Sequence, residues 1–171
     1  MSLVVDASVL VDIFAPREET RRKLAIELLR SARGKPKYAP NILLVELAGV
    51  ISRYDADLAR LALDYVRRNI VLLDEATILA LCLDITLKTG CRAADAYYIA
   101  TAKLTSSTLI SNDRIQVMNA RRAGIKAYYL VEELDAVLKE LEGRRSGASV
   151  GLVENAWPGR RPKKGALSTD V

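Results

Sequence analysis

Near its amino terminus the chain reads Leu3-Val4-Val5-Asp6-Ala7-Ser8-Val9-Leu10. The apolar run before Asp6 is typical of a short strand, and the residues after it begin a helical pattern. A carboxylate beside such a strand is unfavourable unless an opposite charge or a cation pairs with it. The stretch therefore predicts the first strand of an α/β fold that ends in a candidate site residue.

The same alternation of short apolar strands and helices continues along the chain. Further strands are predicted at Tyr38-Ala39, Ile70-Leu73, Thr108-Ile110 and Ala127-Tyr129. Helices are predicted for a short turn at residues 8–14 and for residues 18–31, 41–53, 57–68, 75–88, 92–103, 115–123 and 131–142. Gly90 and Gly124 fall where helices should stop, and Pro40-Asn41 where one should start. This order predicts a single α/β domain over residues 1–142, with a central parallel sheet of about five strands and helices on both faces.

The last part of the chain has a different composition. Residues 143–171 are rich in Gly, Ser and Pro and carry six basic residues against Glu154 and Asp170, a net charge of +4 out of the chain's +5. No apolar periodicity is present, so we expect a flexible basic tail rather than a second domain. Such a tail either raises affinity for nucleic acid by neutralising phosphates or only helps solubility.

The composition excludes several kinds of site. The chain has no histidine and only two cysteines, Cys82 and Cys91. Zinc clusters, a disulfide framework and catalysis by Ser-His-Asp or Cys-His groups are therefore ruled out. The start of the chain shows no secretory signal, and no uncharged apolar run reaches the ~18 residues that span a bilayer, so we expect a cytoplasmic protein.

Four acidic residues occur among apolar neighbours or beside a predicted strand: Asp6, Glu46, Asp95 and Asp113. Asp6 and Asp113 follow the first and fourth predicted strands, and the other two lie early in helices that follow strands. All four should therefore meet at the edge where ligands bind in parallel α/β sheets. Their mutual repulsion would be removed by a hard divalent cation with oxygen ligands. The sequence predicts a metal site there.

Four segments carry a resemblance to the motifs of PIN-domain ribonucleases, among which the chain looks most like VapC toxins of toxin–antitoxin pairs. They are Val4-Val5-Asp6-Ala7-Ser8-Val9-Leu10, Pro40-Asn41-Ile42-Leu43-Leu44-Val45-Glu46, Arg92-Ala93-Ala94-Asp95-Ala96-Tyr97-Tyr98-Ile99-Ala100 and Leu109-Ile110-Ser111-Asn112-Asp113. The likeness covers about residues 1 to 140. Each motif alone is weak, but their order and spacing are specific.

The resemblance implies an endoribonuclease that depends on Mg²⁺ or Mn²⁺. By matching position, Asp6, Glu46, Asp95 and Asp113 would hold the metal, and Ser8 and Ser111 would orient water or a carboxylate. It also implies RNA as substrate, a VapB-like antitoxin as protein partner and a homodimer. Apolar residues on more than one face of the helical segments 60–66 and 78–83 also favour a homodimer.

Other functions remain open. The chain resembles neither haloacid-dehalogenase-like phosphatases, which need Asp-x-Asp where it has Asp6-Ala7-Ser8, nor response-regulator receivers. A stand-alone RNA-processing nuclease, or a non-catalytic module that binds a basic peptide in its acidic pocket, is compatible with the same residues.

Individual residues also have ordinary structural alternatives. Asp6, Asp95 and Asp113 can be helix caps, and Glu46 can be a solvated helix residue. Asp12 is near Asp6 in sequence and could join the outer part of the site, but a solvated face is expected. Arg92 and Arg114 either grip phosphate or are plain surface residues. The tyrosines 97, 98, 128 and 129 could stack on RNA bases, but they are expected to pack in the core or an interface.

Overall fold

The computed structural model describes residues 1–143, so the basic tail predicted for residues 143–171 lies outside the described residues apart from Gly143. The strands are β1 (Leu3–Val5), β2 (Lys37–Pro40), β3 (Val71–Leu73), β4 (Thr108–Ser111) and β5 (Ala127–Tyr129). The helices are α1 (Ala7–Phe14), α2 (Glu19–Ser31), α3 (Ile42–Ile51), α4 (Ala56–Asn69), α5 (Glu75–Thr89), α6 (Ala93–Leu104), α7 (Arg114–Arg122) and α8 (Leu130–Glu142).

The strands form one parallel sheet in the order β3-β2-β1-β4-β5, which confirms the predicted fold class. In the central pair, Leu3 lies opposite Thr108 and Val5 opposite Ile110. β1, whose three residues are fully buried, is the middle strand. This explains why the strand reads as an uninterrupted apolar run, since a parallel strand covered on both faces needs no polar side.

Helices cover both faces of the sheet. The chain crosses from β1 to β2 and β3 in one direction and from β3 to β4 and β5 in the other, so right-handed crossovers place the two sets of helices on opposite faces. The contacts agree: α1, α3 and α4 pack against one another, and α2 packs against α1 and α8. On the other face α5 packs on α6, and α7 packs on β4 and β5.

The predicted helix ends are correct to within one or two residues, and the differences have local causes. The first helix begins at Ala7 rather than at the predicted Ser8, because the Asp6 side chain caps it by accepting from the Ser8 amide at 3.1 Å. The fourth begins at Ala56 because Asp55 caps it. Gly90 ends α5 in the left-handed conformation with φ of 67°, as its position predicts.

No helix within residues 1–143 is both long enough and apolar enough to cross a membrane. Both cysteines are buried and unpaired in this part of the chain.

Candidate functional site

The predicted site lies at the carboxyl ends of β1 and β4. These strands are neighbours, and from them the chain runs outward in opposite directions, to β2 and β3 on one side and to β5 on the other. Asp6 comes directly after β1, and Asp113 lies two residues after the last residue of β4. A reversal of strand order opens a crevice at this edge, which is where open α/β sheets bind ligands.

All four predicted acids line one cavity at this crevice, with a volume of about 510 Å³. That volume falls within the ~300–1,000 Å³ typical of ligand clefts. Arginines also line it: Arg17, Arg21, Arg53 and Arg92. A larger cavity of about 690 Å³ opens elsewhere, beside the amino-terminal ends of β1 and β4, and none of the four acids lines it. The convergence of carboxylates, and not cavity size, therefore marks the candidate site.

Asp6 forms the buried floor of this cavity, with 7% of its surface exposed. Its Oδ2 accepts hydrogen bonds from the Ser8 amide, from the Ser8 hydroxyl and, at 3.0 Å, from the Ser111 hydroxyl. Within residues 1–143 its Oδ1 accepts one hydrogen bond, a long one of 3.3 Å from Gln116 Nε2. Burial raises the pKa of Asp6, and the hydrogen bonds from Ser8, Ser111 and Gln116 offset this only in part.

The two predicted serines tie the end of β1 to the end of β4. Ser8 Oγ accepts from the Asn112 amide at 2.9 Å, and Ser111 Oγ accepts from the Asp113 amide at 2.9 Å. Because each hydroxyl also donates to Asp6, both serines hold the Asp6 carboxylate at a fixed place between the two strands. The structure thus places both hydroxyls as orienters of a carboxylate.

Glu46 projects from α3 toward the buried side of α6. Tyr98, which is 1% exposed, donates to Glu46 Oε2 at 2.5 Å. Burial raises the pKa of Glu46, and the charges of Asp6 and Asp95 raise it further, while the Tyr98 hydrogen bond lowers it. Tyr98 packs in the core as predicted, but its hydroxyl also belongs to the site.

Asp95 and Asp113 share one cation, the guanidinium of Arg92. Arg92 Nε and Nη2 donate to the two oxygens of Asp95, each at 3.1 Å, and Nη2 also donates to Asp113 Oδ2 at 2.6 Å. Burial acts to raise the pKa of Asp113. Hydrogen bonds from the Gln116 amide, Arg92 and the Ile115 amide outweigh burial, so the pKa of Asp113 is lowered.

Two of the four acids, Asp6 and Asp113, also act as helix caps, which was the alternative role considered for them. Asp6 caps α1 and Asp113 caps α7, the latter by accepting from the Ile115 and Gln116 amides at 2.8 and 3.2 Å. Asp95 is not a cap, since it lies in the first turn of α6 behind the cap residue Arg92. In Asp113 the cap uses Oδ1 and leaves Oδ2 facing Arg92, so a cap and a site residue are compatible roles.

The donor set suits a hard divalent cation in its chemistry. The predicted ligands offer only oxygen atoms, which Mg²⁺ and Mn²⁺ prefer, and a cation would offset the burial and the repulsion from Asp6 and Asp95 that raise the pKa of Glu46. Among residues 1–143, however, no group of three or more acidic, cysteine or histidine side chains is already assembled to hold an ion. Arg92 stands where a cation would neutralise Asp95 and Asp113.

The structure also places two further polar residues, Asp12 and Gln116, at this cavity. Asp12, expected on a solvated face, is only 5% exposed: it accepts from Arg21 Nε at 3.0 Å and from Asn112 Nδ2 at 2.6 Å. That expectation was wrong because both partners come from other elements. Gln116, one helical turn after Asp113, holds Asp6, and its side-chain oxygen Oε1 is buried without a partner among the described residues. Its position three residues after a candidate acid was the available signal.

Arg114, Tyr128 and Tyr129 do not line the cavity that holds the four candidate acids. Arg114 pairs with Glu132 and stacks over the ring of Tyr129 at 4.8 Å, which leaves Arg92 as the arginine that contacts the predicted acids. Tyr128 donates to Glu140 at 2.7 Å. Of the two arginines weighed as phosphate ligands, Arg92 alone is placed at the cavity.

Comparison with known proteins gives a family match and several matching structures. The family model described as "PIN domain" matches residues 3–121. No curated protein sequence matches the chain. Among solved structures the chain is similar to VapBC2 from Rickettsia felis, which was bound to a DNA fragment from their promoter. There the identity is 14%, the TM-score is 0.58, and the match covers 75% of this chain and 98% of the other.

Two further structures show the same fold. PAE2754 from Pyrobaculum aerophilum is 19% identical, with a TM-score of 0.55 and coverage of 84% of this chain and 91% of the other. FitAcB from Neisseria gonorrhoeae is 20% identical, with a TM-score of 0.54 and coverage of 75% and 97%. At such identities the structural likeness establishes the fold, and the function must be argued from the site.

Proposed function

The chain belongs to the PIN domain family, and on that premise we propose that it is a metal-dependent endoribonuclease, the toxin of a toxin–antitoxin pair. The observation that carries this proposal is the convergence of Asp6, Glu46, Asp95 and Asp113 on one cavity at the switch in strand order. A chain without histidine needs another way to activate water, and a carboxylate-bound divalent cation supplies one.

We propose Mg²⁺ or Mn²⁺ as the cofactor, held by those four carboxylates. Such an ion, if bound, would supply Lewis-acid chemistry: polarisation of a phosphodiester oxygen and a lowered pKa for a water molecule. The oxygen-only donor set supports this choice. Asp113 Oδ2 and both oxygens of Asp95 become available to an ion once Arg92 leaves them.

The chain's own residues position the reaction. Ser8 and Ser111 fix Asp6, so the floor of the site does not reorganise during turnover. Tyr98 holds Glu46 through Oε2, which leaves Oε1 to contribute to binding of the ion.

The arginines around the cavity favour a polyanionic substrate. Arg17 and Arg53 are exposed and line the cavity, and within residues 1–143 neither forms an ion pair. Unpaired guanidinium groups beside a carboxylate centre suit the phosphates on either side of the bond to be cut. We therefore propose RNA as the substrate, with selection by its shape and backbone.

An antitoxin partner is proposed from the structural likeness. VapBC2 and FitAcB, which share this fold, are toxin–antitoxin proteins. We propose that a cognate VapB-like protein closes the acidic cavity of this chain with a basic side chain. A short reading frame for a basic or amphipathic protein directly upstream of the gene would support the pair, and its absence would favour a stand-alone RNA-processing nuclease.

A homodimer is proposed from the outer face of α5. Leu79, Leu83 and Leu87 lie four residues apart on this helix and are 47%, 58% and 86% exposed. Residues at this spacing form one apolar stripe, and an exposed stripe of leucines is typical of an interface. A second copy of the chain would cover it.

One observation favours a non-catalytic role instead. The guanidinium of Arg92 pairs with Asp95 and Asp113, so these acids already accept a cationic side chain without any metal. A module that binds a basic peptide in the cavity could use the same carboxylates and would need no metal ion.

The deciding experiment is cleavage of a structured RNA pool by the purified chain with Mg²⁺, with Mn²⁺ and with EDTA. The mass of the preparation must first show that no partner protein has copurified. We expect cutting that requires metal and is abolished in Asp6→Asn and Asp95→Asn. Asp84→Asn changes an exposed acid of α5 that does not line the cavity and should cut like wild type. Equal cutting by all variants would mean contamination and favour the binding module.

A further inference from the structure

Arg92 makes the contacts that a bound cation would otherwise make. Its guanidinium donates to both oxygens of Asp95 and to one oxygen of Asp113, which come from different elements, α6 and the start of α7. Asp95 is 5% exposed, and a carboxylate so buried is costly without an opposite charge. Arg92 therefore serves as a built-in counter-ion for two of the four acids.

A divalent cation would have to break these contacts in order to bind Asp95 and Asp113. An ion cannot use Asp95 and Asp113 while the guanidinium holds three of their four oxygens. We propose that Arg92 exchanges partners: it neutralises Asp95 and Asp113 until a divalent cation displaces it, and it then binds a phosphate of the RNA. This inference rests on the proposed nuclease function and deepens it by assigning Arg92 as a substrate-binding residue.

Two features make Arg92 suited to exchange. Its side chain is 66% exposed, although the carboxylate that it holds is buried, so it can swing into the open cavity without leaving the core unpacked. Its backbone is fixed as the residue that caps α6, so the guanidinium stays near the cavity when it lets go. A free guanidinium fork binds phosphate through two parallel hydrogen bonds.

A second buried pair in the same cavity behaves differently. Asp12 is held by Arg21, whose side chain is 30% exposed, and also by the Asn112 side-chain amide. Loss of Arg21 from Asp12 would still leave Asp12 with one hydrogen-bond partner. Asp95 has no second side-chain donor in the described part of the chain, so only Arg92 or a cation neutralises it.

The test is isothermal titration of Mn²⁺ into wild type, Arg92→Gln, Arg92→Lys and the control Arg114→Gln, with RNA cleavage measured at saturating Mn²⁺. Arg114 is equally charged and 66% exposed but pairs with Glu132 outside the cavity. We expect Arg92→Gln to bind Mn²⁺ about tenfold more tightly, equivalent to ~1.4 kcal/mol, and to cleave about tenfold more slowly. Arg92→Lys should fall between, and Arg114→Gln should match wild type.

The proposal predicts that Arg92→Gln binds Mn²⁺ more tightly but cleaves RNA more slowly. If Arg92 had a merely structural role, its loss would weaken Mn²⁺ binding and slow cleavage together. Mn²⁺ affinity in Arg92→Gln that equals or falls below wild type overturns the proposal, and so does undiminished cleavage at saturating metal. If Arg92→Gln does not fold, Arg92→Lys decides by the same criteria. A wild-type chain that neither binds Mn²⁺ nor cuts RNA defeats the proposed function itself, whereas one that does both, with Arg92→Gln unchanged, defeats only the inference on Arg92.

Discussion

At the scale of single residues, Asp6 is held in an environment that destabilises its charged form. Burial raises its pKa even though Ser8, Ser111 and Gln116 all donate to it. Gln116 must turn its amide nitrogen toward the carboxylate, and its oxygen is then left without a partner among the described residues. Both features are unfavourable for folding alone and are explained if the position is kept for binding a cation.

Asp6→Asn is therefore expected to stabilise the metal-free protein. The introduced asparagine can still accept from Ser8 and Ser111 through its oxygen, and its amide can donate to the unpaired oxygen of Gln116 once that side chain turns over. We expect the free energy of unfolding in EDTA at pH 7 to rise by about 1 kcal/mol. Urea unfolding with EDTA and with Mn²⁺ would measure this, and only wild type should gain stability from Mn²⁺. A less stable variant in EDTA would contradict this explanation of Gln116.

The pH dependence of stability follows from the same carboxyls. Burial raises the pKa of Asp6 and of Glu46 above 3.8 and 4.5, so protonation favours the folded state. Their contribution is complete below those values and is lost as the pH rises through the raised pKa values. Asp113 has a lowered pKa, so its contribution is already complete above 3.8 and stays constant.

We expect the metal-free wild type to lose free energy of unfolding between about pH 5 and pH 8. The double variant Asp6→Asn/Glu46→Gln should lose clearly less over the same range. Urea unfolding in EDTA at the two pH values measures the difference. Identical losses in both proteins would show that neither carboxyl titrates with a raised pKa.

The sequence indicated residues whose environment is set by neighbours along the chain, and it failed where the partner is distant. Asp6 and Asp113 were identified because each follows an apolar strand. The burial of Asp12 was not predicted, because it depends on Arg21 from the next helix and on Asn112, one hundred positions away. The bridge from Arg92 to Asp113 was likewise out of reach, since it joins side chains on two elements.

At the scale of elements, the amino terminus of α7 combines a helix cap with a site residue. Asp113 Oδ1 accepts from the Ile115 and Gln116 amides, while Oδ2 faces Arg92. Asp113→Asn keeps the capping oxygen and loses the charge, and Asp113→Ala loses both. We expect Asp113→Ala to lower the free energy of unfolding by ~1 kcal/mol, and Asp113→Asn to lower it by much less.

RNA cleavage should separate the two roles of Asp113. Both variants are expected to cut at least about tenfold more slowly, because each lacks the carboxylate that faces the cavity. Thermal melts measure how much the capping oxygen of Asp113 stabilises the fold. Cleavage rates measure how much its negative charge contributes to activity. If Asp113→Asn cut RNA at the wild-type rate, Asp113 would be a cap alone.

Helices and strands were predicted well because their signals are local. Apolar runs bounded by turn residues mark each strand. Gly90 marks the end of α5, because glycine readily adopts the left-handed conformation found there. The strand order is a different matter: the sequence implied a parallel sheet, but the position of β4 beside β1 depends on packing over more than one hundred residues. The meeting of the acids was inferred from the general rule for such sheets.

At the scale of the whole molecule, the arginines around the cavity predict how RNA binding depends on salt. Arg17→Ala and Arg53→Ala should each reduce the slope of log affinity against log salt by ~0.7, as expected for one phosphate contact to a single strand. Arg68→Ala removes an exposed arginine at the far end of α4 and should leave the slope unchanged. Fluorescence anisotropy with labelled single-stranded RNA, in the Asp6→Asn background, measures the slopes. Equal slopes in all variants would exclude Arg17 and Arg53 from the binding surface.

The apolar stripe on α5 predicts the oligomeric state. Wild type should have twice the monomer mass in light scattering after gel filtration, and Leu83→Glu should be monomeric, because a charge cannot be buried against leucines without a partner. Met118→Glu, a 43% exposed position on α7, is the matched control and should stay dimeric. A monomeric wild type would leave the stripe free for a different partner.

The tie between Ser8, Asp6 and Ser111 has a consequence for the order in which the chain is made. Asp6 leaves the ribosome early, whereas Ser111 and Gln116, which hold it, follow more than one hundred residues later. A nascent chain that has not yet produced β4 and the start of α7 has the first carboxylate but no assembled centre. On the proposed function, incomplete chains would therefore lack nuclease activity, because the last pieces of the site are translated only after most of the domain exists.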